Sequence, residues 1–309
     1  MMEPKKPRIV VVGSIHMDFT ILVDSLPKTG ETVIGKSFKM SPGGKGANQA
    51  VAAAKLGSEA YMVGRVGNDY LGNLLIESMS KSGVNVDFVK KDPSTHSGLA
   101  FITVDPRGKN TISVAPGADL TISNEDVEGA MDAIKQADIM LLQLEIPLEI
   151  VTQAAEIAFR NDLKVILNPA PYRPLPKKLL KNIFILTPNE VEVGMMSKIG
   201  IKSSKDVVEA GKKLIGMGIE KIVITLGDKG AMLVSKERVL RFPAIKVKAL
   251  DTTGAGDAFN GALAVALAEG KGIEEAIRFA NFAGALTTMK VGAQEALPGR
   301  KEVEELMKM

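Results

Sequence analysis

The chain has 309 residues, 45% hydrophobic and 24% charged, with a formal net charge of +3. These proportions fit an ordinary globular protein, sized for one α/β domain or a domain with an insertion, and the small, dispersed charge argues against a nucleic-acid partner. With no cysteine and only two histidines, His16 and His96, the chain excludes disulfides, thiolate nucleophiles, Cys-ligated zinc and multi-histidine metal sites.

What remains for chemistry is carboxylates, lysines, backbone amides and oxygen-bound cations, a set that suits phosphoryl transfer better than hydrolysis or redox work. No G-x-S-x-G elbow is present. Lys5, Lys6 and Arg8 form a basic cluster, read as a solvated start of the chain. No apolar run approaches the roughly 18 residues of a membrane span, and no signal-peptide pattern precedes the first strand. A cytoplasmic protein with no membrane partner is therefore expected.

Residues 8–13, RIVVVG, read as a buried parallel strand. Ser14, His16 and Asp18 follow at its carboxyl end, the edge where open α/β sheets bind ligands. Residues 19–23 and 32–40 read as short strands around the turn LPKTG. The stretch Gly30–Ser37 fits the P-loop pattern G-x-x-x-x-G-K-[ST] letter for letter. A P-loop, however, needs a buried strand before it and a helix directly after it. Here a proline turn precedes, and Pro42 with two glycines follows, so the match is rejected and Lys36 is read as a surface residue. Residues 41–57, SPGGKGANQAVAAAKLG, are a Gly-rich turn opening a helix that closes at Gly57. Gly43, Gly44 and Gly46 could serve the turn alone. Lys45 among them, with Asn48 just beyond, fits a ligand site better than packing.

Further on, YMVGRVG and VNVDFV read as strands around a helix at 69–82. GLAFITV (98–104) and NTISVAP (110–116) flank a turn at Asp105–Gly108 as a hairpin. With residues 19–40 this hairpin is expected to make a small separate sheet over the site. Then come helix 123–136, strand 138–144, helix 147–161, strands 164–168 and 183–187, helices 189–199 and 204–217, and strand 221–226. That alternation predicts a parallel sheet covered on both faces. Polar residues recur at the strand ends: Glu145, Asn168, Asn189, Glu192, Thr225 and Gly227. One such residue is routine turn chemistry; several along one sheet edge resemble an active site. Residues 230–247 read as three short strands, and 254–269, 273–290 and the tail KEVEELMKM as helices.

The stretch Asp251–Asp257, DTTGAGD, runs straight into the apolar segment AFNGALAVALAEG. Glycines entering a helix leave backbone N–H groups unpaired at its positive end, where a phosphate can be held. Asp257 sits within the first turn. It either stabilises the helix start, as aspartate often does, or accepts a proton from an attacking hydroxyl.

GGKGAN at 43–48, N-x-x-E at 189–192 and DTTGAGDAFNGAL at 251–263 resemble the ribokinase-like family of carbohydrate and nucleoside kinases, as do QLE at 143–145, NPAP at 168–171, TPNE at 187–190 and TLGDKG at 225–230. The resemblance runs from Val10 to Pro298. It implies a single domain over 1–309, a doubly wound, mostly parallel α/β sheet with a lid from insertions at 19–40 and 97–115. It also implies an ATP-dependent kinase acting on the primary hydroxyl of a small sugar, ribose favoured, to give ribose 5-phosphate. In that family pattern Asp257 is the catalytic base, and the amides of Gly254, Ala255 and Gly256 form the anion hole. His16, Asp18, Gly44, Lys45, Asn48 and Glu145 bind sugar, and Asn189, Thr225, Gly227, Gly230 and Asn281 contact the nucleotide. Glu192 orients Mg²⁺ through water, and Asp251, Thr253, Thr287, Lys290 and Gly292 surround K⁺. Two departures stand out: His16 replaces the usual Asn of G-S-x-N-x-D, and Ala296 replaces a residue that often gives the cation a hydroxyl. His16 keeps a nucleoside, another pentose or a polyol open as substrate. A non-catalytic sugar-binding protein on the same fold is disfavoured by the intact Asp257, Gly-Ala-Gly turn and Asn189/Glu192 pair. A homodimer joined through the lids is the expected assembly.

Overall fold

The computed structural model describes residues 6–308, so Lys5 of the basic cluster lies outside the described residues. The chain opens with β1 (Arg8–Val12), β2 (His16–Leu22), β3 (Ser37–Gly43), α1 (Lys45–Lys55), β4 (Glu59–Gly67), α2 (Tyr70–Lys81) and β5 (Val84–Asp92). It continues through β6 (Gly98–Val104), β7 (Asn110–Ala115), α3 (Asn124–Glu128), α4 (Met131–Gln136), β8 (Ile139–Leu142), α5 (Leu148–Arg160), β9 (Lys164–Leu167) and α6 (Lys177–Leu180). The last third holds β10 (Ile185–Leu186), α7 (Glu190–Ser197), α8 (Ser204–Ile215), β11 (Lys221–Thr225), β12 (Ala231–Ser235), β13 (Val239–Phe242), α9 (Ala255–Ala268), α10 (Ile273–Thr287) and α11 (Arg300–Met307).

Nine strands form the main sheet, in the order β13-β12-β11-β10-β9-β8-β1-β4-β5. β5 through β11 run parallel, and β12 and β13 add an antiparallel edge. β1 shows why both faces are covered. Ile9 and Val11 enter the core that includes α1, α2, α9 and α10, while Val10 and Val12 enter the core that includes α3, α5, α7 and α8. Alternation along a strand sends successive side chains to opposite faces, and each fully buried Val or Ile stabilises the fold by about 1.5–3 kcal/mol. From β1 the chain first builds outward to β4 and β5, then crosses to β8 and builds the other way. β1 and β8 thus flank the point where strand order reverses, the usual place for a ligand crevice.

A second sheet of four strands, ordered β3-β2-β6-β7, stands apart from the first. Its central pair, β2 and β6, is parallel, and its edges are antiparallel. It begins at His16 and reaches Gly43, so His16 and Asp18 lie on a strand instead of a loop after β1. Thr29 to Lys36 carry no helix, and the segment after Lys36 is strand β3, which removes the P-loop geometry.

Two further expectations are corrected, and one element is added. The helix expected over 123–136 is two short helices, α3 and α4, parted at Gly129 and Ala130, since glycine is a poor helix residue. Residues 230–247 hold two strands, not three. Pro243 follows β13, which is already the sheet edge, and offers no ladder N–H to continue it. The short helix α6 had no counterpart in the sequence reading. Among the described residues, no helix is long and apolar enough to cross a membrane.

Candidate active site

The site is assembled at the carboxyl ends of β1 and β8. Ser14 follows β1, and its hydroxyl donates to Glu145 Oε2 at 2.5 Å. The same carboxylate oxygen accepts from the Lys45 amide at 3.0 Å, so Glu145 closes the start of α1. The Ala47 amide donates to Ser14 O at 3.0 Å. The first-turn amides of α1 are therefore already engaged by protein, and this helix start is not an anion cradle. Gly44, at φ 88°, makes the turn possible, because a Cβ there would lie 2.7 Å from the His16 nitrogen and 2.8 Å from Ser14 O.

Asp257 occupies the first turn of α9 and is buried. Asn48 Nδ2 donates to its Oδ2 and Gln49 Nε2 to its Oδ1, each at 3.0 Å. Gln49 is itself held by Gln143, whose Nε2 donates to Gln49 Oε1 at 2.7 Å. This chain of buried amides fixes the orientation of the carboxylate. Burial raises the Asp257 pKa, and Lys45, Asn48 and Gln49 only partly offset it. The entry to α9 is opened by Gly254 at φ 75°. The Ala255 amide makes only a long 3.3 Å contact with Thr252 O, and a Cβ on Gly256 would meet no atom within 4 Å. Here, unlike at α1, there is open space over a helix start.

Lys45 lies among Asp257, Glu145, Glu192 and Asp18; burial disfavours its charge, but these carboxylates raise its pKa above the usual lysine value. Burial pushes the Asp18 carboxyl up to about 6, against the pull of His16 and Lys45. Glu145 goes the other way: burial opposes its charge, but Lys45, His16 and Ser14 hold it below the usual carboxylate range.

Asn189 and Glu192 form a reciprocal cap on α7, Asn189 Oδ1 accepting from the Glu192 amide at 2.8 Å and Glu192 Oε2 from the Asn189 amide at 2.9 Å. Asn189 also bridges Thr225 at the end of β11. Gly227 and Gly230 follow in a tight turn, at φ 58° and 95°. Asn281, on α10, is partly exposed and its Nδ2 reaches Pro243 O at 3.5 Å.

Beside the α9 entry, Asp251 Oδ1 accepts from the Thr253 amide at 2.9 Å, and Oδ2 from the Gly292 amide at 2.9 Å. Asp251 thereby ties the two loops expected to surround a monovalent cation. Thr287 is buried with its hydroxyl donating to Ala283 O at 2.9 Å. Lys290 Nζ pairs with Glu302 at 2.7 Å, and an ammonium cannot itself ligate a cation, so only its carbonyl could join such a set. Ala296 is fully buried.

Gln49, Asn260 and Asp119 escaped the sequence reading. Asn260 Oδ1 accepts from Thr187 Oγ1 at 2.6 Å, and its Nδ2 donates to Gly256 O at 2.8 Å, which braces the α9 entry. Buried polar residues on the Ala-rich helices were the available signal for Gln49 and Asn260.

A lysine set among carboxylates at a sheet switch point, beside a glycine-opened helix start with an aspartate in its first turn, defines a phosphotransferase with an alcohol acceptor. The family model for pfkB family carbohydrate kinases matches residues 6–300. A ribokinase of Bacillus subtilis is 42% identical over 300 residues, covering 97% of this chain and 99% of that protein. A ribokinase structure from Thermotoga maritima aligns with TM-score 0.88 and 40% identity over 98% of this chain and all (100%) of that one. The structure of Arabidopsis thaliana ribokinase complexed with ribose and ATP aligns with TM-score 0.91 and 36% identity over 99% of this chain and 100% of that one. The chain belongs to the pfkB family of carbohydrate kinases.

Proposed function

We propose that the protein transfers the γ-phosphoryl group of ATP to the primary hydroxyl of ribose, giving ribose 5-phosphate and ADP. The observation that carries this reading is Asp257: a buried carboxylate with a raised pKa, locked by two amides at the mouth of an open helix start. Asp257 takes the hydroxyl proton as that oxygen bonds to the γ-phosphorus and the bond to the β–γ bridging oxygen breaks, leaving on ADP. The amides of Gly254, Ala255 and Gly256 hold the charge that develops on the transferring group. Asp18, Lys45, Asn48 and Glu145 pair the sugar hydroxyls, with Gly44 allowing close approach and His16 beneath them. Asn189, Thr225, Gly227, Gly230 and Asn281 line the nucleotide side.

A divalent ion, expected to be Mg²⁺, neutralises β- and γ-phosphate oxygens when bound. The donor set fits such an ion. Glu192, whose Oε2 accepts from the Asn189 amide at 2.9 Å, is the carboxylate that would orient it through water, since Mg²⁺ keeps several of its waters. Asp251, Thr253, Thr287, Lys290 and Gly292 would hold K⁺ largely through carbonyl oxygens.

The protein acts in the cytoplasm as a homodimer, two copies packing their four-stranded sheets together. Ile21, Phe38, Phe101 and Ile112 lie exposed on that sheet, more apolar surface than an unpaired lid needs. His16 favours one alternative, a nucleoside, another pentose or a polyol as acceptor. ADP release with ATP, Mg²⁺ and a panel of ribose, 2-deoxyribose, other pentoses, polyols and nucleosides tests the assignment. Turnover of a nucleoside with none of ribose would overturn it.

A further inference from the structure

His16 and Asp119 lie far apart in sequence but meet in the fold. Asp119 is completely buried, on the short turn after β7, and its Oδ1 accepts from the Ile15 amide at 2.8 Å. Its other oxygen, Oδ2, stands 2.6 Å from His16 Nε2. At that separation the two are an ion pair when His16 is protonated. His16 is only 3% exposed, and its Nδ1 faces Glu145 Oε2 at 3.9 Å. The neighbouring strand leaves room for this pair: a Cβ on Gly98 would lie 2.3 Å from His16 Cδ2 and 2.4 Å from Asp119 Oδ2. Gly98, on β6 directly opposite His16, is therefore part of the same arrangement.

We infer that Asp119 is a positioning residue for the acceptor-sugar site, holding His16 as a fixed cation whose second nitrogen sets the place and charge of Glu145. The inference rests on the proposed reading that Asp18 and Glu145 bind the sugar. The physical chain is short. A buried imidazole without a carboxylate partner is neutral, because burial disfavours its charged form. Beside Asp119 it carries a proton on each nitrogen and is a donor on both sides. Burial opposes the charge, but Asp119 and Glu145 outweigh it and raise His16 to about 9, while burial lifts Asp119 to about 6. At neutral pH both partners are thus charged. One nitrogen is spent on Asp119, and the other is left to Glu145, the carboxylate that also closes the start of α1. His16 therefore shapes the site through Glu145 more than by reading a hydroxyl with both nitrogens. Asp119 determines whether it can.

The test compares Asp119→Asn, His16→Asn and the double variant His16→Asn/Asp119→Asn. KM for ribose, KM for ATP, kcat and the thermal midpoint are measured for each. Asp119→Asn is expected to raise KM for ribose roughly tenfold, with kcat and KM for ATP changed by no more than about threefold. The double variant, which also lacks the His16 cation, should show about the same rise as either single variant and no more, a non-additivity that marks a coupled pair. A lower thermal midpoint with KM for ribose unchanged would make Asp119 purely structural and overturn the inference, and so would additive effects in the double variant. Should Asp119→Asn fail to fold, His16→Asn and the double variant decide: equal rises of about tenfold in KM for ribose support the pair acting as a unit, and a near-normal KM in either refutes it. Asp18→Asn and Glu145→Gln serve as controls. If neither raises KM for ribose, the sugar-site reading itself is wrong; if they do and Asp119→Asn does not, only this inference falls.

Discussion

Replacing Asp257 by asparagine removes the proton acceptor and little else. The side chain keeps its size, and its carbonyl oxygen can still accept from either Asn48 or Gln49, the donors now 3.0 Å from the carboxylate. The other amide then faces an NH₂ group, a loss of about 1 kcal/mol for one hydrogen bond. Against this, the buried negative charge disappears. Because the Asp257 pKa is raised on folding, its ionised form is a net cost at neutral pH, and asparagine relieves that cost. The two changes oppose each other, so the thermal midpoint should stay close to that of the wild type. Turnover is another matter. Loss of a general base lowers kcat by about 10²–10⁴, some 2.7–5.4 kcal/mol at about 1.36 kcal/mol per decade. The assay is ADP release at saturating ribose and ATP, with binding of each followed by calorimetry. Turnover within tenfold of wild type would remove Asp257 from the proton transfer. A large loss of ribose or ATP binding in step with turnover would make it an organiser of the site instead.

Lys36 is largely exposed and paired with Asp24, so Lys36→Ala should leave KM for ATP within about threefold, whereas Lys45→Ala should impair ribose use at least tenfold; the reverse ranking would restore the P-loop as the nucleotide site. Phe101→Asp, on the exposed face where Phe101 stacks on Phe19 at 5.4 Å, should convert a dimer to a monomer in light scattering; a wild-type monomer would refute lid pairing. Activity should be higher in K⁺ than in a bulky organic cation, and Asp251→Ala should abolish that difference by freeing the Thr253 and Gly292 loops; equal rates in both salts for the wild type would remove the cation site. Since the His16 pKa is raised to about 9, its pairing contributes stability fully present below about 6.5 and lost as pH rises through 9. The wild type should therefore lose thermal stability between those values faster than His16→Asn, and parallel curves would show that the pair carries no such linkage.

The parts of the site written in local chemistry were legible in the sequence. A lysine among glycines before an Ala-rich helix, and an aspartate just inside a glycine-opened helix, each state their geometry within a dozen residues. The alternation that places Glu145, Asn189 and Thr225 at strand ends is equally local. What the sequence conceals are contacts made by long closures: Asp119 meets Ile15 across 104 positions, and Gln49 meets Asp257 across 208. Neither residue sits in a pattern of its own, and a buried aspartate looks no different in a sequence from a solvated one. Strand register is hidden for a related reason. Alternation in the stretch after β1 is compatible with several starting points. Pairing with β3 and β6 selects His16 as the first residue of β2, and so turns an expected loop site into a strand site. On the same sheet Phe19 and Ile102 are half-buried, whereas Phe38 and Ile112 are exposed, a distinction that alternation alone does not give.

The electrostatics of the site also explain why its parts come as a set. Asp18, Glu145, Glu192 and Asp257 share one lysine, Lys45, so the pocket around the acceptor is rich in negative charge before any nucleotide arrives. A bare triphosphate brought against such a cluster would be repelled, by several kcal/mol per close pair at the effective dielectric of a partly buried site. Three devices answer this. On the proposed reading, the helix start at Gly254–Gly256 would offer amides instead of carboxylates to the transferring group, a divalent ion would travel with the phosphates, and His16 would offset part of the charge of Glu145. Each relieves a different part of the repulsion, and none substitutes for another. Removing the His16 charge would then leave Glu145 and Asp18 facing Asp257 with one counter-charge fewer beside Lys45. Burial already lifts Asp18 to about 6, and losing one counter-charge would push it higher, toward a protonated group that has one fewer acceptor for a sugar hydroxyl. The pair beneath the pocket and the base above it are thus coupled through the same small cluster. That coupling gives a residue as distant from the chemistry as Asp119 a route to substrate affinity.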